Sequence, residues 1–500
     1  MLVVGAGPTG LVLALWLTRL GVSVRIIDSA PKGGSTSRAL AVQARTLELY
    51  RQIGLADEVV ERGLQVQAIN LWVSGKREAH AVFGQLGAGL SPYPFALVYP
   101  QDEHEWLLAD HLAQRGVEVE RRAEFVGLEE AAGRLLVRLR RPDGSMETCE
   151  TAYLAGCDGA HSAVRGALGI GFEGGAYEHL FYVADVEATG PVMNGELHVA
   201  LDRSEFLAVF PLMHGNARLV GTVRDDAAHA RQVLSWTDVS RHVIEQLGIR
   251  VTRVNWFSTY RVHHRVAEHF RKGRTFLLGD AAHIHSPVGG QGMNTGIGDA
   301  VNLAWKLAAV LHGRAGTSIL DSYEPERIAF ARRLVDTTDR AFTAVTSNRP
   351  IARRVRLNVV PVMLPALFKF AAARRLLFRT VSQTAVNYRD GPLSAGRAGA
   401  VRGGDRLPWV KLEDGHDNFS PLSSLDWQVH VYGALGPGME AICRERRLPL
   451  HVFRWSEEMR RARIVRDALY LVRPDGYVAL AQAPASADAL AEYLDTRNLT

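Results

Sequence analysis

The chain has 500 residues, of which 47% are hydrophobic and 22% are charged, and its formal net charge is +5. This composition is typical of a globular protein with two to four domains and a sizeable core. The mild positive charge suits an anionic cofactor or substrate and does not by itself indicate nucleic-acid binding. Three cysteines, Cys149, Cys157 and Cys443, exclude a disulfide framework, so a reducing cytoplasm is the expected location.

The first predicted element is a short apolar strand that enters a glycine turn of the form G-x-G-x-x-G, and a helical pattern follows. Gly5 permits the tight turn, Gly7 lets the backbone approach a pyrophosphate, and Gly10 lets the helix pack close to the strand. The helix start offers free N–H groups and a positive dipole end to phosphates. A second strand, predicted over 22–27, ends at Asp28, whose carboxylate can accept hydrogen bonds from a ribose. Together these features predict a dinucleotide-binding βαβ unit.

A helix is predicted over residues 38–50, after a loop rich in glycine, serine and proline. It carries Arg38 and Arg45, and arginine is suited to bidentate contact with phosphate. For Arg45 alone, a solvated charge on the helix is an almost equally good interpretation. Strands and helices then alternate as in a parallel sheet, and we expect residues 124–126 to continue that rhythm. The strands are predicted over 67–73, 96–99 and 117–119, and the helix over 103–114.

Two strands, 135–139 and 147–154, flank an Asp-Gly pair, which is a hairpin signal. The small-residue turn at 156–160 carries Asp158 and precedes a helix-like segment, so we interpret it as a second segment facing the nucleotide. On its own it is equally consistent with an ordinary turn. From about 170 to 265, apolar and polar residues alternate in several runs. This change predicts an antiparallel sheet inserted into the α/β fold as a substrate domain.

The chain then returns to the nucleotide-binding pattern with a strand over 275–278, followed by Gly279 and Asp280. An acid at a strand end can bind sugar hydroxyls. The glycine-rich loop that follows, before a long helix, presents backbone N–H donors to an anion, which suits a ring system that becomes anionic on reduction. His283 and His285 form an H-x-H pair, but no cysteine or acidic cluster completes a metal site at a recognised spacing. No metal is therefore predicted.

The C-terminal third divides into a basic helical segment with a linker, residues 346–395, and a smaller α/β unit, residues 396–500. The linker is expected around 393–400 because glycine, alanine and serine dominate there. In the smaller unit, two strands pair as a hairpin across residues 474–476. The apolar stretch 358–373 is interrupted by prolines and is shorter than the ~20 residues that a membrane span needs. We expect an amphipathic helical segment that packs on the protein, and a membrane-surface role, which the arginines around the stretch would suit, is the alternative.

Three motifs stand in the order found in group A FAD-dependent aromatic hydroxylases, the p-hydroxybenzoate hydroxylase fold. They are the glycine turn at 5–10, Cys157-Asp158-Gly159 and Gly279-Asp280. Residues 1 to about 345 resemble that family. The C-terminal unit resembles the thioredoxin-like domain of its phenol and aromatic polyketide hydroxylase branch. That unit has no C-x-x-C, so a structural or dimer-contact role is expected rather than disulfide exchange.

The resemblance implies an α/β architecture with a discontinuous Rossmann-type FAD-binding domain, residues 1–170 and 266–345. An antiparallel-sheet substrate domain, 171–265, is inserted between these parts, and a thioredoxin-like domain follows over 396–500. It also implies that FAD contacts Gly5, Gly7, Pro8, Thr9, Gly10, Asp28, Ser29, Arg38, Gln101, Val126, Asp158, Asp280, Pro287, Gly290, Gly292, Met293 and Asn294.

The implied roles differ along the cofactor. Asp28 would bind the adenosine ribose, although Glu is more usual at this point of the family motif. Asp158 would serve both FAD and NAD(P)H, and Asp280 would hold the ribityl chain. Backbone donors at 292–294 would face the N1/O2 edge of the flavin ring, beside Pro287.

The family's substrate residues have no residue-by-residue match within 190–265, so no catalytic base is assigned. Several side chains are candidates by residue type only, and each is better explained as core or strand surface because aromatic residues usually pack. These are Tyr182, His198, Phe206, Phe210, His214 and Tyr260.

The resemblance implies a monooxygenase that uses NAD(P)H and O₂ to hydroxylate an electron-rich phenolic ring through a flavin C4a-hydroperoxide. The branch with the C-terminal unit favours a polycyclic aromatic polyketide of antibiotic-type biosynthesis as substrate. A simple phenol or phenylpropionate-type acid of aromatic catabolism is the alternative within the same class. An FAD-holding ligand-binding protein without hydroxylase activity is the alternative of another class. No nucleic-acid partner is expected, and a homodimer stays open.

Overall fold

The computed structural model describes residues 1–34, 39–202, 205–223, 234–286, 289–346 and 369–499, together with Val359 and Met363. The strands of these residues are, in chain order, β1 (Leu2–Val4), β2 (Arg25–Asp28), β3 (Ala41–Val42), β4 (Leu64–Val66), β5 (Ala68–Val73), β6 (Lys76–Val82), β7 (Ala96–Val98), β8 (Val119–Arg121), β9 (Glu124–Ala131), β10 (Arg134–Arg140), β11 (Met146–Thr151), β12 (Leu154–Gly156), β13 (Phe172–Thr189), β14 (Leu197–Leu201), β15 (Phe206–Pro211), β16 (Asn216–Thr222), β17 (Arg250–Ala267), β18 (Arg271–Lys272), β19 (Thr275–Leu277), β20 (His283–Ile284), β21 (Ala395–Ala398), β22 (Val401–Arg402), β23 (Gln428–Tyr432), β24 (Leu450–Phe453), β25 (Leu469–Val472) and β26 (Val478–Gln482).

The α-helices of the same residues are α1 (Pro8–Arg19), α2 (Ala44–Gln52), α3 (Ala56–Arg62), α4 (Phe83–Leu86), α5 (Gln101–Ala113), α6 (Ala163–Leu168), α7 (His242–Gln246), α8 (Gly292–Leu311), α9 (Tyr323–Thr346), α10 (Ala371–Val381), α11 (Met439–Glu445), α12 (Glu457–Arg461) and α13 (Ala487–Thr496). None of the described helices is long and apolar enough to cross a membrane.

The nucleotide-binding layer is a six-stranded sheet with the order β18-β19-β12-β1-β2-β8. Its strands are parallel except for the edge strand β18. Helix α1 buries every residue from Gly10 to Leu17, because its sequence is apolar on all sides and it lies between the sheet and α8. Strand β2 begins later than predicted: the backbone of Val22 bonds back to Leu17 at the end of α1, and the ladder starts at Arg25. The sheet therefore delivers the glycine turn and Asp28 to one edge.

Two local predictions in the first third are wrong. The helix expected over 38–50 begins only at Ala44, because Ala41–Val42 pair with β7 as a strand. Residues 124–126 do not extend the parallel sheet. They open β9, which pairs antiparallel with β10 in the three-stranded sheet β11-β10-β9. The apolar side chains of β10 alternate with arginines, so only one face of that sheet is buried.

A second large sheet has eight strands in the order β20-β17-β13-β16-β15-β14-β5-β6. Its centre is the antiparallel set β13 to β17 that the alternating pattern of residues 170–265 predicts. The first part of the chain adds β5 and β6, with β5 parallel to β14. The loop after Asp280 adds β20, which pairs with β17. Both edges of this sheet are therefore formed by segments that lie outside residues 171–265.

The C-terminal unit contains a six-stranded mixed sheet with the order β22-β21-β26-β25-β23-β24 and the helices α11 to α13. The predicted hairpin across residues 474–476 is confirmed, since β25 and β26 pair antiparallel on either side of it. The linker predicted at 393–400 is wrong for Ala395–Ala398, which form β21 and pair with β26. The fold-class prediction, a Rossmann-type α/β fold with an antiparallel sheet and a C-terminal α/β unit, is confirmed.

Candidate active site

The glycine turn after β1 is shaped by contacts that leave no room for side chains. Gly5 has a φ of +102°, and a Cβ there would lie 2.3 Å from the carbonyl oxygen of Cys157. A Cβ on Gly10 would lie 2.0 Å from the carbonyl oxygen of Gly5. Around Gly7 there is open space within 4 Å of the Cβ position, at the N-terminus of α1. The turn thus packs tightly on the sheet side and leaves its helix start open to a ligand.

Asp28 is tied to this turn through its carboxylate. Its Oδ2 accepts a hydrogen bond of 2.7 Å from the backbone N–H of Ala6, and its Oδ1 accepts one of 2.7 Å from Ala30. Arg121 approaches Oδ2 at 3.7 Å. The acid at the end of β2 therefore lies directly beside the glycine turn, with Ser29 following it in the chain.

The other two motifs meet the first. Asp158 accepts hydrogen bonds from the Ser162 hydroxyl at 2.6 Å and from the Val164 N–H at 3.1 Å, so its carboxylate caps α6. The Cβ position of Gly5 lies 2.8 Å from the nitrogen of Asp158, which shows how closely the first two turns touch. Gly279 has a φ of +57° and packs on Thr9, while the adjacent Asp280 is exposed. The structure therefore brings the three predicted motifs to one place.

Asn294, in the first turn of α8, ties the loop before this helix to the segment before α2. Its Oδ1 accepts hydrogen bonds from the Gln43 N–H at 2.9 Å and from the Thr46 hydroxyl at 2.7 Å. Its Nδ2 donates to the carbonyl oxygens of Ala41 and Gly290, both at 2.8 Å. The side chain is 1% exposed. We call this set of four hydrogen bonds the Asn294 clasp, and it fixes the start of α8, where Gly292 and Met293 lie.

Asp299 and Arg327 form a buried ion pair next to the loop that precedes α8. Asp299 accepts hydrogen bonds from the Arg327 Nε at 2.6 Å and from the Gly279 N–H at 3.0 Å, and it lies 2.7 Å from the His283 Nε2. Burial alone raises the pKa of Asp299, but Arg327 and His283 outweigh it, so the pKa falls below its usual value. The carboxylate therefore stays ionised and links Gly279 to α8.

Of the remaining predicted cofactor residues, some lie within the described part of the chain and others do not. Gln101 begins α5, where its Oε1 accepts from the Ala39 N–H at 3.2 Å and its Nε2 donates to Glu105 at 2.7 Å. Val126 lies in β9 with 39% of its side chain exposed. Arg38 and Pro287 lie outside the described residues.

Residue-type reasoning missed several members of this site. Gln43 and Thr46 hold Asn294, and Asp299 and Arg327 hold the loop from below. The interpretation of Arg45 as a solvated charge is also wrong, since it is 4% exposed. The available signal was the set of polar residues at helical spacing within the apolar helix α8, namely Asp299, Asn302 and Lys306.

The two faces of the eight-stranded sheet differ in what covers them. The covered face packs under α7 and a short 3₁₀ helix, and consists of Tyr182, Ala184, Val186, Leu207, Val209, Ala217 and Leu219. The open face carries the alternate residues of the same strands, namely Phe181, Val183, Asp185, Phe206, Ala208, Phe210, Arg218, Val220, Trp256 and Tyr260. Six of these are half-buried: Asp185, Phe206, Phe210, Val220, Trp256 and Tyr260.

This division sorts the aromatic candidates. Tyr182 lies on the covered face and stacks on Phe257, so the core interpretation is right for it. His198 is also buried, and its Nδ1 accepts a hydrogen bond of 3.0 Å from the Trp72 indole. Phe206, Phe210 and Tyr260 line the open face. The side chain of His214 lies outside the described residues.

The open face looks toward the Asn294 clasp. Phe210 and Leu197 belong to an apolar cluster with Leu40 and Ala44, the residues that flank the backbone held by Asn294. In the middle of this apolar face, Arg218 and Asp185 form a bidentate ion pair with N–O distances of 2.6 and 2.7 Å. The face is thus an apolar wall with one charged pair, next to the start of α8.

Comparison with known proteins decides the family. A family model described as FAD binding domain matches residues 1–338. The chain belongs to the FAD-dependent aromatic hydroxylases. It is 37% identical over 420 residues to a 6-methylpretetramide 4-monooxygenase from Streptomyces rimosus, which covers 81% of this chain and 72% of that protein.

Two solved hydroxylases share the whole architecture. The anhydrotetracycline hydroxylase from Streptomyces rimosus superposes with a TM-score of 0.79 at 29% identity, covering 99% of this chain and 98% of that one. Aklavinone-11 hydroxylase, solved with FAD and aklavinone, gives a TM-score of 0.77 at 26% identity, covering 100% and 98%. The protein is accordingly an FAD-dependent monooxygenase that receives its electrons from NAD(P)H.

The described residues fit FAD on their own geometry. Gly5 and Gly10 would bring a Cβ onto backbone atoms, whereas Gly7 faces open space at a helix N-terminus, which is the shape that a pyrophosphate requires. The carboxylates of Asp28, Asp158 and Asp280 lie around this turn, and their oxygens can accept hydrogen bonds from sugar hydroxyls. The second anion-facing helix start, at Gly292, suits a flavin ring.

Proposed function

We propose that this hydroxylase oxygenates a polycyclic aromatic polyketide that binds between the open face of the eight-stranded sheet and the start of α8. The observation that carries the proposal is the open face itself, which offers half-buried aromatic side chains on two of its strands, β15 and β17, beside the Asn294 clasp. A flat fused ring system gains most from such a wall, since aromatic side chains bury large areas and stack. The relatives named for tetracycline and anthracycline substrates support the same class.

We further propose how FAD lies in the site. The glycine turn, with Gly5, Gly7, Pro8, Thr9 and Gly10, binds the pyrophosphate, and Asp28 with Ser29 binds the adenosine ribose. The other contacts are Arg38, Gln101, Val126, Asp158, Asp280, Pro287, Gly290, Gly292, Met293 and Asn294. In the case of Asn294 the contact is through the backbone, because its side-chain atoms are all engaged in the clasp.

When bound, FAD accepts electrons from NAD(P)H and activates O₂. The chain contributes binding, orientation and exclusion of water. Backbone N–H groups at the start of α8 stabilise negative charge on the reduced ring, and the clasp keeps them aimed. The open face holds the substrate ring in register with the flavin.

The proposed division of the chain follows the same logic. We propose residues 1–170 and 266–345 as the FAD-binding domain and residues 171–265 as the main part of the substrate domain. Residues 346–395 and the C-terminal unit, residues 396–500, complete the proposed division. We also propose a cytoplasmic location, supported by the free thiols of Cys149, Cys157 and Cys443.

The test is NAD(P)H consumption by the FAD-loaded protein with a panel of tetracyclic and anthracyclic phenols, simple phenols and phenylpropionate-type acids, with mass spectrometry of the products. We expect a fused-ring phenol to speed NAD(P)H oxidation many-fold and to gain one oxygen atom. Oxygenation of simple phenols alone would replace the polyketide by a catabolic substrate. Oxidation that yields only hydrogen peroxide with every ligand bound would favour a ligand-binding flavoprotein.

A further inference from the structure

The turn of the β25–β26 hairpin, residues 473–477, is buried against the FAD-binding part of the chain. Arg473 is 1% exposed and Asp475 is 2% exposed, whereas hairpin turns ordinarily face solvent. Gly476, with a φ of +74°, closes the turn so near to α2 that a Cβ would lie 3.3 Å from the Gln52 side chain. The FAD-site proposal above uses none of these residues. We call this segment the 473–477 turn.

The turn contacts α8 and α9 through buried charges. The guanidinium of Arg473 pairs with both oxygens of Glu326, at 2.7 and 3.0 Å, and with Asp475. Glu326 also accepts hydrogen bonds from Lys306 at 2.8 Å and from Asn302 at 2.7 Å, both on α8. These charges balance one another and are at most 2% exposed. Loss of one member would leave an uncompensated buried charge.

Asp475 extends the contact in two further directions. Its Oδ2 accepts a hydrogen bond of 3.1 Å from the indole N–H of Trp305 on α8. Its carbonyl oxygen accepts one from the guanidinium of Arg45 on α2. Arg45 in turn pairs with Glu48 one helical turn later, at 3.1 Å. One residue of the C-terminal unit is therefore bonded to both α2 and α8.

Helices α2 and α8 are the two elements joined at the other end by the Asn294 clasp. Thr46, one residue after Arg45, donates to Asn294, and Asn294 lies two turns before Asn302 on α8. A cavity of about 20 Å³ separates the turn from the clasp, and its lining includes Arg45, Thr46, Asn294, Asn302 and Asp475. A space of that size holds about one water molecule. The turn and the clasp are thus neighbours on opposite sides of a single small cavity.

We propose that the 473–477 turn is a positioning element for the flavin: Asp475 and Arg473 set the spacing of α2 and α8, and through it the geometry of the Asn294 clasp. The C-terminal unit then acts on the reaction without touching FAD or substrate. The proposal rests on the proposed function in one respect, the placement of the flavin at the start of α8. It assigns the C-terminal unit a role in FAD affinity and in coupling of NAD(P)H oxidation to oxygenation.

The test compares Asp475→Asn with Met459→Ala in the full-length protein. Asp475→Asn keeps the side-chain shape and an acceptor for Trp305 but removes the charge that faces Arg473. Met459 is fully buried in a separate cluster of the same C-terminal unit, so its truncation destabilises that unit without touching the turn. For each variant, FAD affinity is measured by fluorescence titration of the apoprotein, along with Tm and the fraction of NAD(P)H electrons released as hydrogen peroxide.

We expect Asp475→Asn to weaken FAD binding by about 3- to 30-fold, the range typical of residues that couple two sites, and to raise peroxide release. Met459→Ala is expected to lower Tm at least as much while leaving FAD affinity and peroxide release at the wild-type values. Trp305→Phe removes the N–H donor to Asp475 and part of the ring that packs on Arg473, and it should change FAD affinity in the same direction by a smaller factor.

The proposal is overturned if Asp475→Asn lowers Tm but binds FAD and couples oxidation like Met459→Ala. It is also overturned if the two variants weaken FAD binding equally, because general destabilisation of the C-terminal unit would then explain both. A wild-type protein that fails to bind FAD would instead contradict the proposed function on which this inference rests. The two failures are distinguished by the wild-type titration alone.

Discussion

The cofactor side of this hydroxylase is shaped by backbone atoms, whereas its substrate side is shaped by side chains. Around the flavin loop, backbone atoms decide the geometry: Gly5 and Gly10 each lie where a Cβ would meet a backbone carbonyl oxygen at 2.3 Å or less. On the open face of the sheet, side chains such as Phe206 and Phe210 form the surface. Backbone geometry tolerates almost no substitution, whereas a wall of side chains can change with the substrate. The difference predicts where mutations will be fatal and where they will alter specificity.

The largest effect is expected for Gly10→Ala. The new Cβ would lie 2.0 Å from the carbonyl oxygen of Gly5, so α1 must move away from the sheet that it covers. We expect a loss of about 4 kcal/mol or more in the free energy of unfolding and no retention of FAD, as for other severe backbone clashes. Urea denaturation and the flavin absorbance of the purified protein measure both.

Gly7→Ala is the matched control, because its Cβ meets no atom within 4 Å and its φ of −76° suits alanine. That variant should unfold at nearly the wild-type urea concentration and bind FAD more weakly, since the methyl group occupies the pyrophosphate approach. A Gly10→Ala protein with wild-type stability and FAD content would contradict the claim that backbone contacts fix the geometry of the cofactor side.

The next effect compares the two faces of the sheet. Leu219 is fully buried on the covered face, so Leu219→Ala should lower the free energy of unfolding by about 2–5 kcal/mol through lost burial and a new cavity. Val220→Ala, one residue later on the open face, should cost about 1 kcal/mol, because the side chain is only half-buried. Equal losses in urea denaturation would mean that the open face is also packed core.

The same contrast explains what could be predicted from the sequence. The glycine turn, Asp28, Asp158 and the loop before α8 follow from residues whose backbone role is visible in a motif. The Asn294 clasp could not be predicted, because Gln43 and Thr46 lie some 250 positions away in the chain and their partners depend on tertiary packing. The strand at 395–398 was missed for a similar reason: its small residues read as a linker, and only pairing with β26 makes them a strand.

Acid is expected to destabilise the protein through two buried histidines on the cofactor side. Burial lowers the pKa of His104 to about 3 and that of His285 to about 4. Below pH 6.5 these two histidines take up protons in the unfolded chain, whereas in the folded protein they stay neutral. The free energy of unfolding should therefore fall as the pH drops from 6.5 toward 4, by about 1.4 kcal/mol per pH unit for each histidine. Urea denaturation at pH 7.5, 6 and 5 measures the slope.

His104→Gln provides the control for that slope. His104 packs against Tyr50 and Tyr99 and shares a hydrogen bond of 2.9 Å with the Tyr50 hydroxyl, which a glutamine can also make. The variant should lose about one histidine's share of the pH dependence while keeping most of its stability at pH 7.5. An unchanged slope would show that His104 is not the group that acid titrates.

The smallest effect on stability, and the most specific effect on function, is expected for Phe206→Leu on the open face. Phe206 is half-buried beside Tyr260 and Phe181, so a leucine should cost no more than about 1 kcal/mol. Leu207→Ala, at the neighbouring position of the covered face, is its counterpart, because it should lower stability without altering the substrate wall.

Steady-state kinetics with the fused-ring substrate should separate the two variants. Phe206→Leu should raise KM and peroxide release at unchanged FAD affinity, since a wall that no longer matches the ring lets it sit out of register with the flavin. If KM and coupling stay at wild-type values for every ring size in the panel, the substrate does not lie on this face, and the comparison between a backbone-built cofactor side and a side-chain-built substrate side fails at its second half.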